Sequence, residues 1–196
     1  MTTDYSTLLQ AIRRIIALTT EEEAVVSSLF EPMILPTDGY FLQAGDVCRY
    51  AGFVTQGLLR YYILDDGAEH TYDFSPEQTF VSNYESFLTQ TPSTRFIQAI
   101  EPTALLVINY NNLQRLYNSI GEGQKFGRLV AEQLFVGILQ KLTSFYQETA
   151  EERYETFIRS FPTLQERIPQ YVIASYVGIK PQSLSRIRAA RAGKSY

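Results

Sequence analysis

The sequence predicts an α+β protein in three parts: an N-terminal β jelly roll, one long helix and a C-terminal helix-turn-helix. Three observations predict it. Between Met33 and Asn109, short apolar or alternating runs are broken by turn residues roughly every 8–12 positions, the texture of a jelly roll or sandwich. From Glu122 to about Glu148 no proline interrupts an apolar stripe at three-to-four spacing. Near the end, "IASYVGIKPQSLSRIR" (173–188) joins two short helical patterns at a glycine. The expected boundaries are 1–121 for the jelly-roll domain with N-terminal helices, 122–148 for the long helix and 149–196 for the helix-turn-helix domain.

In chain order, "DYSTLLQAIRRIIAL" (4–18) sets Leu8, Leu9, Ile12, Ile15 and Ile16 at helical spacing. In "TTEEEAVVSSLF", Thr20 stands before three glutamates, which is expected to cap a second helix, and Pro32 is expected to stop it. The strand-like runs are "MILPT", "YFLQAG", "AGFVTQG", "LLRYYIL", "HTYDFS", "TRFIQAI" and "ALLVINY". Asp66-Gly67, between "LLRYYIL" and "EHTYDF", is a two-residue hairpin signal because both positions tolerate positive φ. "NNLQRLYNSI" then gives a short helix.

The long helix, ~40 Å of it, carries Phe126, Leu129, Val130, Leu134, Ile138, Leu142, Phe145 and Tyr146 in its stripe, and Phe135, Val136 and Leu139 widen the apolar surface. Apolar on two sides, it must cover its own domain and something more. A homodimer partner is the economical candidate, met through Phe126, Val130, Leu134, Ile138 and Leu142. The alternative is that both sides pack within one chain. "ETAEER" (148–153) reads as a hinge or the start of a new helix, and "YETFIRSF" puts Tyr154, Phe157, Ile158 and Phe161 on one face before Pro162.

Composition narrows the function. No apolar run approaches the ~18 residues of a membrane span, and the N-terminus lacks a basic-then-apolar signal, so a cytoplasmic protein with no membrane partner is expected. One cysteine, Cys48, and one histidine, His70, exclude an internal disulfide and a one-chain iron–sulfur cluster, and make a poor metal site. A thiol–imidazole pair finds no other support, and a cupin-like jelly-roll enzyme would need several His and carboxylate ligands. No enzyme, metal or cofactor is expected. The net charge of −4 hides an asymmetry: residues 1–152 hold 9 Lys+Arg against 19 Asp+Glu, while 153–196 hold 8 against 2. An acidic body with a basic end is the footprint of a polyanion-binding appendage.

That appendage has chemistry to match. With helices at Gln170–Val177 and from Pro181 onward, Ile173, Val177, Ile179, Leu184 and Ile187 point to one core, and Ala174 is small where the helices cross. Gly178 supplies the left-handed residue of the turn, and Pro181 suits a helix's first turn. Lys180 stands where a capping Ser, Thr or Asp is usual, and its charge opposes the helix dipole unless a DNA phosphate lies there. The outward face carries Gln182, Ser183, Ser185, Arg186 and Arg188. Gln pairs with adenine, Arg with guanine and Ser with phosphate or base, so double-stranded DNA is the expected partner. The bland alternative is a solvated polar face on a terminal helical hairpin.

An acidic β domain, a long helix and a C-terminal helix-turn-helix together resemble the Crp/Fnr family of bacterial transcription regulators, over roughly Thr19 to Lys194. The specific segments are "RIPQYVIASYVGIKPQSLSRIR" (167–188) and "GFVTQGLLRYYILDDG" (52–67), the latter similar to the family's sensor hairpin. "ERYETFIRSFP" resembles the helix leading into the DNA-binding unit of short regulators from Bacteroidetes-like bacteria. The resemblance implies a cyclic-nucleotide-binding-type jelly roll, a dimerising helix, a winged helix-turn-helix, a palindromic operator and a contact with RNA polymerase. It implies that Gln182, Ser185 and Arg186 read bases while Ser183 and Arg188 touch the backbone.

The sensor departs from nucleotide-binding members of the family, which carry Gly-Glu before apolar residues and then an Arg-Ser/Thr pair. Here "FVSNYESFLTQTPSTRFIQA" has Ser82-Asn83 in place of Gly-Glu; Ser93 aligns with the arginine, and Arg95 falls about two residues beyond it. A cyclic phosphate needs a carboxylate and a cationic fork in place, so ordinary cyclic-AMP binding is not expected. A small-molecule effector, if the domain takes one, is expected in the jelly-roll interior near Arg60, Tyr62, Ser82, Asn83, Tyr84, Glu85 and Arg95. The rival reading is a cyclic-nucleotide-responsive regulator with a divergent pocket.

Overall fold

The computed structural model describes residues 3–192. They divide into two compact units. The first runs from the N-terminus to Tyr61 and resumes over Phe74–Leu134; the second comprises Tyr62–Asp73 and everything from Phe135 onward. Lys194 lies outside the described residues. Among the described residues, no helix is long and apolar enough to cross a membrane.

In the first unit, helix α1 (Ser6–Arg13) buries Leu8 and Ile12, and α2 (Thr20–Leu29) buries Val26 and Leu29. The cap of α2 is Thr19, not Thr20. Its hydroxyl accepts from the Glu22 amide while the Glu22 carboxylate accepts from the Thr19 amide. Thr-x-x-Glu fits either register, but Glu22 also accepts from the Gly121 N–H at 2.6 Å, a second anchor that selects the earlier one. Pro32 stands past the helix end, in strand β1 (Glu31–Leu35) at a sheet edge, where a missing N–H is tolerated.

The remaining strands are β2 (Tyr40–Leu42), β3 (Tyr50–Gln56), β4 (Leu59–Asp65), β5 (Ala68–Ser75), β6 (Phe80–Val81), β7 (Phe96–Ala99) and β8 (Thr103–Asn109). They form two four-stranded sheets, ordered β1-β8-β3-β6 and β2-β7-β4-β5, which is the jelly roll. Central strand β8 pairs antiparallel with β1 and β3, with Val107 opposite both Glu31 and Gly52. It buries Leu105, Leu106, Val107 and Ile108 in succession, the pattern of a strand covered on both faces. At the β3–β4 turn, Gly57 has φ +95°, and a Cβ there would lie 2.6 Å from the Pro102 carbonyl oxygen. Only glycine fits that close approach. Helix α3 (Tyr84–Thr89), not evident in the sequence, follows β6; α4 (Tyr110–Ser119) is capped by Asn109.

Helix α5 (Gly123–Gln147) covers the length its stripe implied. Phe126 is 5% exposed and meets Phe80 edge-on with centroids 6.3 Å apart, so it belongs to the core of its own unit. Of the five residues expected in a partner-facing seam, Phe126 is instead covered by its own unit, and Val130 is half-buried.

In the second unit, "ETAEER" is a helix start. Thr149 caps α6 (Ala150–Ser160), with Glu152 completing a capping box. Tyr154 and Phe157 of α6 pack with Leu164, Ile168, Val172, Ile173, Ala174, Val177 and Leu184 in one buried core. Helices α7 (Gln170–Val177) and α8 (Pro181–Ala192) make the helix-turn-helix. Of its expected core residues, Ile173, Val177 and Leu184 are buried, whereas Ile179 and Ile187 are half-buried. Among the described residues no strand follows β8, so no wing is seen there.

Candidate nucleic-acid interface

Gly178, at φ +78°, ends α7, and the Gly178 and Ile179 amides donate to the carbonyls of Ser175 and Ala174. Arg153 reinforces this end: Nε donates to the Val177 carbonyl at 2.8 Å and Nη1 to the Glu148 carbonyl at 2.6 Å. One base of the positive C-terminal segment is thus spent on building the turn, where a cation favours a helix C-terminus.

On α8, successive residues turn by roughly 100°. That places Gln182, Ser185 and Arg186 on one side, opposite buried Leu184 and half-buried Ile187, and all three are exposed. Ser183 and Arg188 flank the face on either edge. Arg188 is exposed; Ser183 is half-buried, less outward than its sequence position implied. Lys180 is exposed, and its carbonyl accepts from the Ser183 and Leu184 amides at 2.9 and 3.2 Å, opening the helix without a side-chain cap from Lys180 itself. Ser185 Oγ donates to the Pro181 carbonyl at 3.2 Å, a weak bond that a base or phosphate acceptor would displace.

Ser175, on α7, carries no local signal in the sequence of what it binds. Its hydroxyl donates to the Glu69 carbonyl at 2.7 Å and accepts from the Thr71 amide at 2.9 Å, both in the first half of strand β5, beside the tip of the β4–β5 hairpin. These partners are more than a hundred positions away, beyond the reach of any local pattern. Beside it, Tyr176 packs on Phe157 and Phe161. Burial first, then the carboxylates of Asp73 and Glu148, push its phenol up to about 12.

The seven candidate effector residues do not form one polar cluster awaiting a ligand. Asn83 is buried: its Oδ1 accepts from the Ser86 amide at 3.3 Å as the cap of α3, and its Nδ2 donates to Ser93 Oγ at 2.6 Å. Ser82 Oγ donates to the Tyr50 carbonyl at 3.3 Å. Glu85 and Arg95 meet at 3.6 Å on the surface. Arg60 is buried and donates through Nε and Nη2 to Gln98 Oε1 at 3.1 and 2.6 Å. Tyr84 is half-buried, and Tyr62 is buried and belongs to the second unit.

Residues 33–119 match the family model of the cyclic nucleotide-binding domain. Among curated protein sequences none matches the chain. Solved structures similar to it include FixK2 from Bradyrhizobium japonicum, 16% identical over 84% of this chain and 85% of that one, with a TM-score of 0.69. A protein from Eubacterium rectale assigned to the crp/fnr family of transcriptional regulators is 16% identical, covering 90% and 85%, at 0.68. The catabolite activator protein of Thermus thermophilus is 20% identical, covering 94% and 87%, at 0.56. Residues 33–119 thus resemble a cyclic nucleotide-binding domain, and the chain shares the fold of these solved structures.

Proposed function

We propose that the protein is a homodimeric, sequence-specific DNA-binding transcription regulator and not an enzyme. The observation that carries this is the α8 surface, where exposed Gln182, Ser185 and Arg186 share one side of a helix anchored by Leu184 on the other. Helix α8 enters the major groove, with Gln182 and Arg186 reading base edges and Ser183, Arg188 and Lys180 holding phosphates. Dimerisation through α5 is supported by its exposed apolar residues from Leu134 to Tyr146. Two copies of α8 spaced ~34 Å apart favour a palindromic operator. A promoter-bound dimer of this kind is placed to meet RNA polymerase. Selection from a random pool of duplexes tests the reading: a recovered palindrome with half-sites one helical turn apart is expected, and recovery of no preferred sequence defeats it.

The sensor domain, in this reading, does not hold cyclic AMP in the usual way. Asn83 and Ser93 are engaged with each other and with α3, and Arg95 is turned to Glu85 at the surface. A second reading has one observation in its favour: the match of residues 33–119 to the cyclic nucleotide-binding domain, which leaves a divergent pocket as the rival. Calorimetric titration with cyclic AMP and cyclic GMP separates the two.

A further inference from the structure

We propose that Ser175 is a positioning residue that latches the β4–β5 hairpin tip onto α7, and that the latched form is the one that binds DNA. The inference rests on the DNA-binding reading above and adds a regulation to that site. The latch lies within the second unit, whose segments include Tyr62–Asp73 and the helix-turn-helix. One hydroxyl holds the tip at two points, donating to the Glu69 carbonyl and accepting from the Thr71 amide. At the base of the same tip, Asp73 pairs with Lys141 of α5 at 2.5 Å.

Against these contacts stands a cost. Thr71 is 4% exposed, and its own hydroxyl is buried with no hydrogen-bond partner among the described residues. An orphan of this kind disfavours the docked form on the order of tenfold or more, comparable to what the Ser175 bonds return. The tip is therefore poised between docked and released forms. Docking leaves Lys180, Gln182, Ser185 and Arg186 exposed, so the hairpin does not block the reading face; it fixes the helix that carries it. Release frees α7 and α8 to sample other placements, and operator affinity falls by the fraction of time spent in them.

Two near-isosteric variants of the full-length protein move the latch in opposite directions. Ser175→Ala removes both bonds, yet alanine favours a helix more than serine does, so loss of helix stability cannot account for weaker binding. Thr71→Val keeps the shape and removes the orphan hydroxyl. The measurements are hydrogen exchange of the Thr71 amide without DNA, and affinity for a duplex selected from a random pool by the wild-type protein. Expected for Ser175→Ala are lost protection and about fivefold or greater weakening with unchanged sequence preference. Expected for Thr71→Val are raised protection and tighter binding. Protection that moves while affinity stays fixed overturns the proposal, as do affinities that shift in the same direction or a Thr71 amide indifferent to Ser175→Ala. If the wild type selects no duplex, the DNA-binding reading fails and this regulation with it; normal Thr71 protection then shows that the fault lies in that reading and not in the latch.

Discussion

Replacing Ile138 by Asp on α5 tests the proposed dimer most severely. In the single chain Ile138 is 62% exposed, and Leu134 and Leu142 on the same stripe are 43% and 51% exposed. Full burial of an Ile side chain stabilises by about 1.5–3 kcal/mol, so covering the exposed part against a partner contributes ~1–2 kcal/mol per copy. A two-fold seam contains the residue twice, and the substitution forfeits about 2–4 kcal/mol from lost burial alone. It also sets two carboxylates in an apolar seam, each costing several kcal/mol more unless paired. The combined penalty, on the order of 6–10 kcal/mol, raises the dissociation constant by four to seven powers of ten. Sedimentation velocity across micromolar concentrations should show a wild-type dimer and a folded monomer for Ile138→Asp. The exposed position argues that the monomer keeps its fold, which circular dichroism checks. A wild-type monomer at high concentration, or an Ile138→Asp protein that remains dimeric, refutes the assignment of this face.

Other outcomes follow from the same geometry. Arg186→Ala and Gln182→Ala should each cost about 1–3 kcal/mol of operator affinity and relax the preference at one base pair apiece, read by repeated duplex selection. An unchanged selected sequence would mean that another face of α8 meets the bases. Arg188→Ala should weaken all duplexes alike and reduce the salt slope by about one phosphate's worth. Leu184→Ala, at a fully buried site, should cost about 2–5 kcal/mol of stability in the second unit, visible as a lowered melting transition. Tyr176, with its phenol pushed up to about 12, should make this unit alkali-sensitive: the stability is fully present below the ordinary tyrosine value of 10.0 and is lost as pH rises through the folded value. Tyr176→Phe should flatten that loss in a pH-dependent melt.

The elements that were legible in the sequence are those whose cause is local. Asp66 and Gly67 take φ +47° and +78°, the positive pair that a two-residue hairpin needs, and Gly178 takes the left-handed turn between α7 and α8. Helical spacing located α5 and α8 because periodicity follows from the backbone alone. Misreadings arose where a second partner decided the matter. Thr19 and Thr20 both begin a capping pattern, and the Gly121 amide on Glu22 settles the choice from ninety-nine residues away. Phe126 fits the stripe of α5 by spacing, but Phe80 claims it. Periodicity says that a side chain will be covered, without saying which surface covers it.

The segment from Phe80 to Ala99 shows the same limit at a candidate ligand position. The departure of Ser82-Asn83 from Gly-Glu is visible in the sequence; what replaces the missing contacts is not. In the structure Asn83 serves as the cap of a short helix and as donor to Ser93, the residue aligned with the family's arginine. Ser93 Oγ in turn donates to the Arg95 carbonyl at 3.1 Å and accepts from the Arg95 amide at 2.8 Å. A ligand phosphate entering here would have to displace this closed set of short neutral bonds without gaining a cationic fork in return. Arg95 could supply the fork only by leaving Glu85, a surface pair that holds it weakly. Arg95→Ala is therefore the variant that distinguishes a domain that has abandoned cyclic phosphates from one that recruits this side chain on binding. It should leave calorimetric titrations with cyclic AMP silent in both wild type and variant if the contacts are gone. A micromolar signal in the wild type that vanishes in Arg95→Ala would show that the fork is recruited, and would replace the present reading of the sensor.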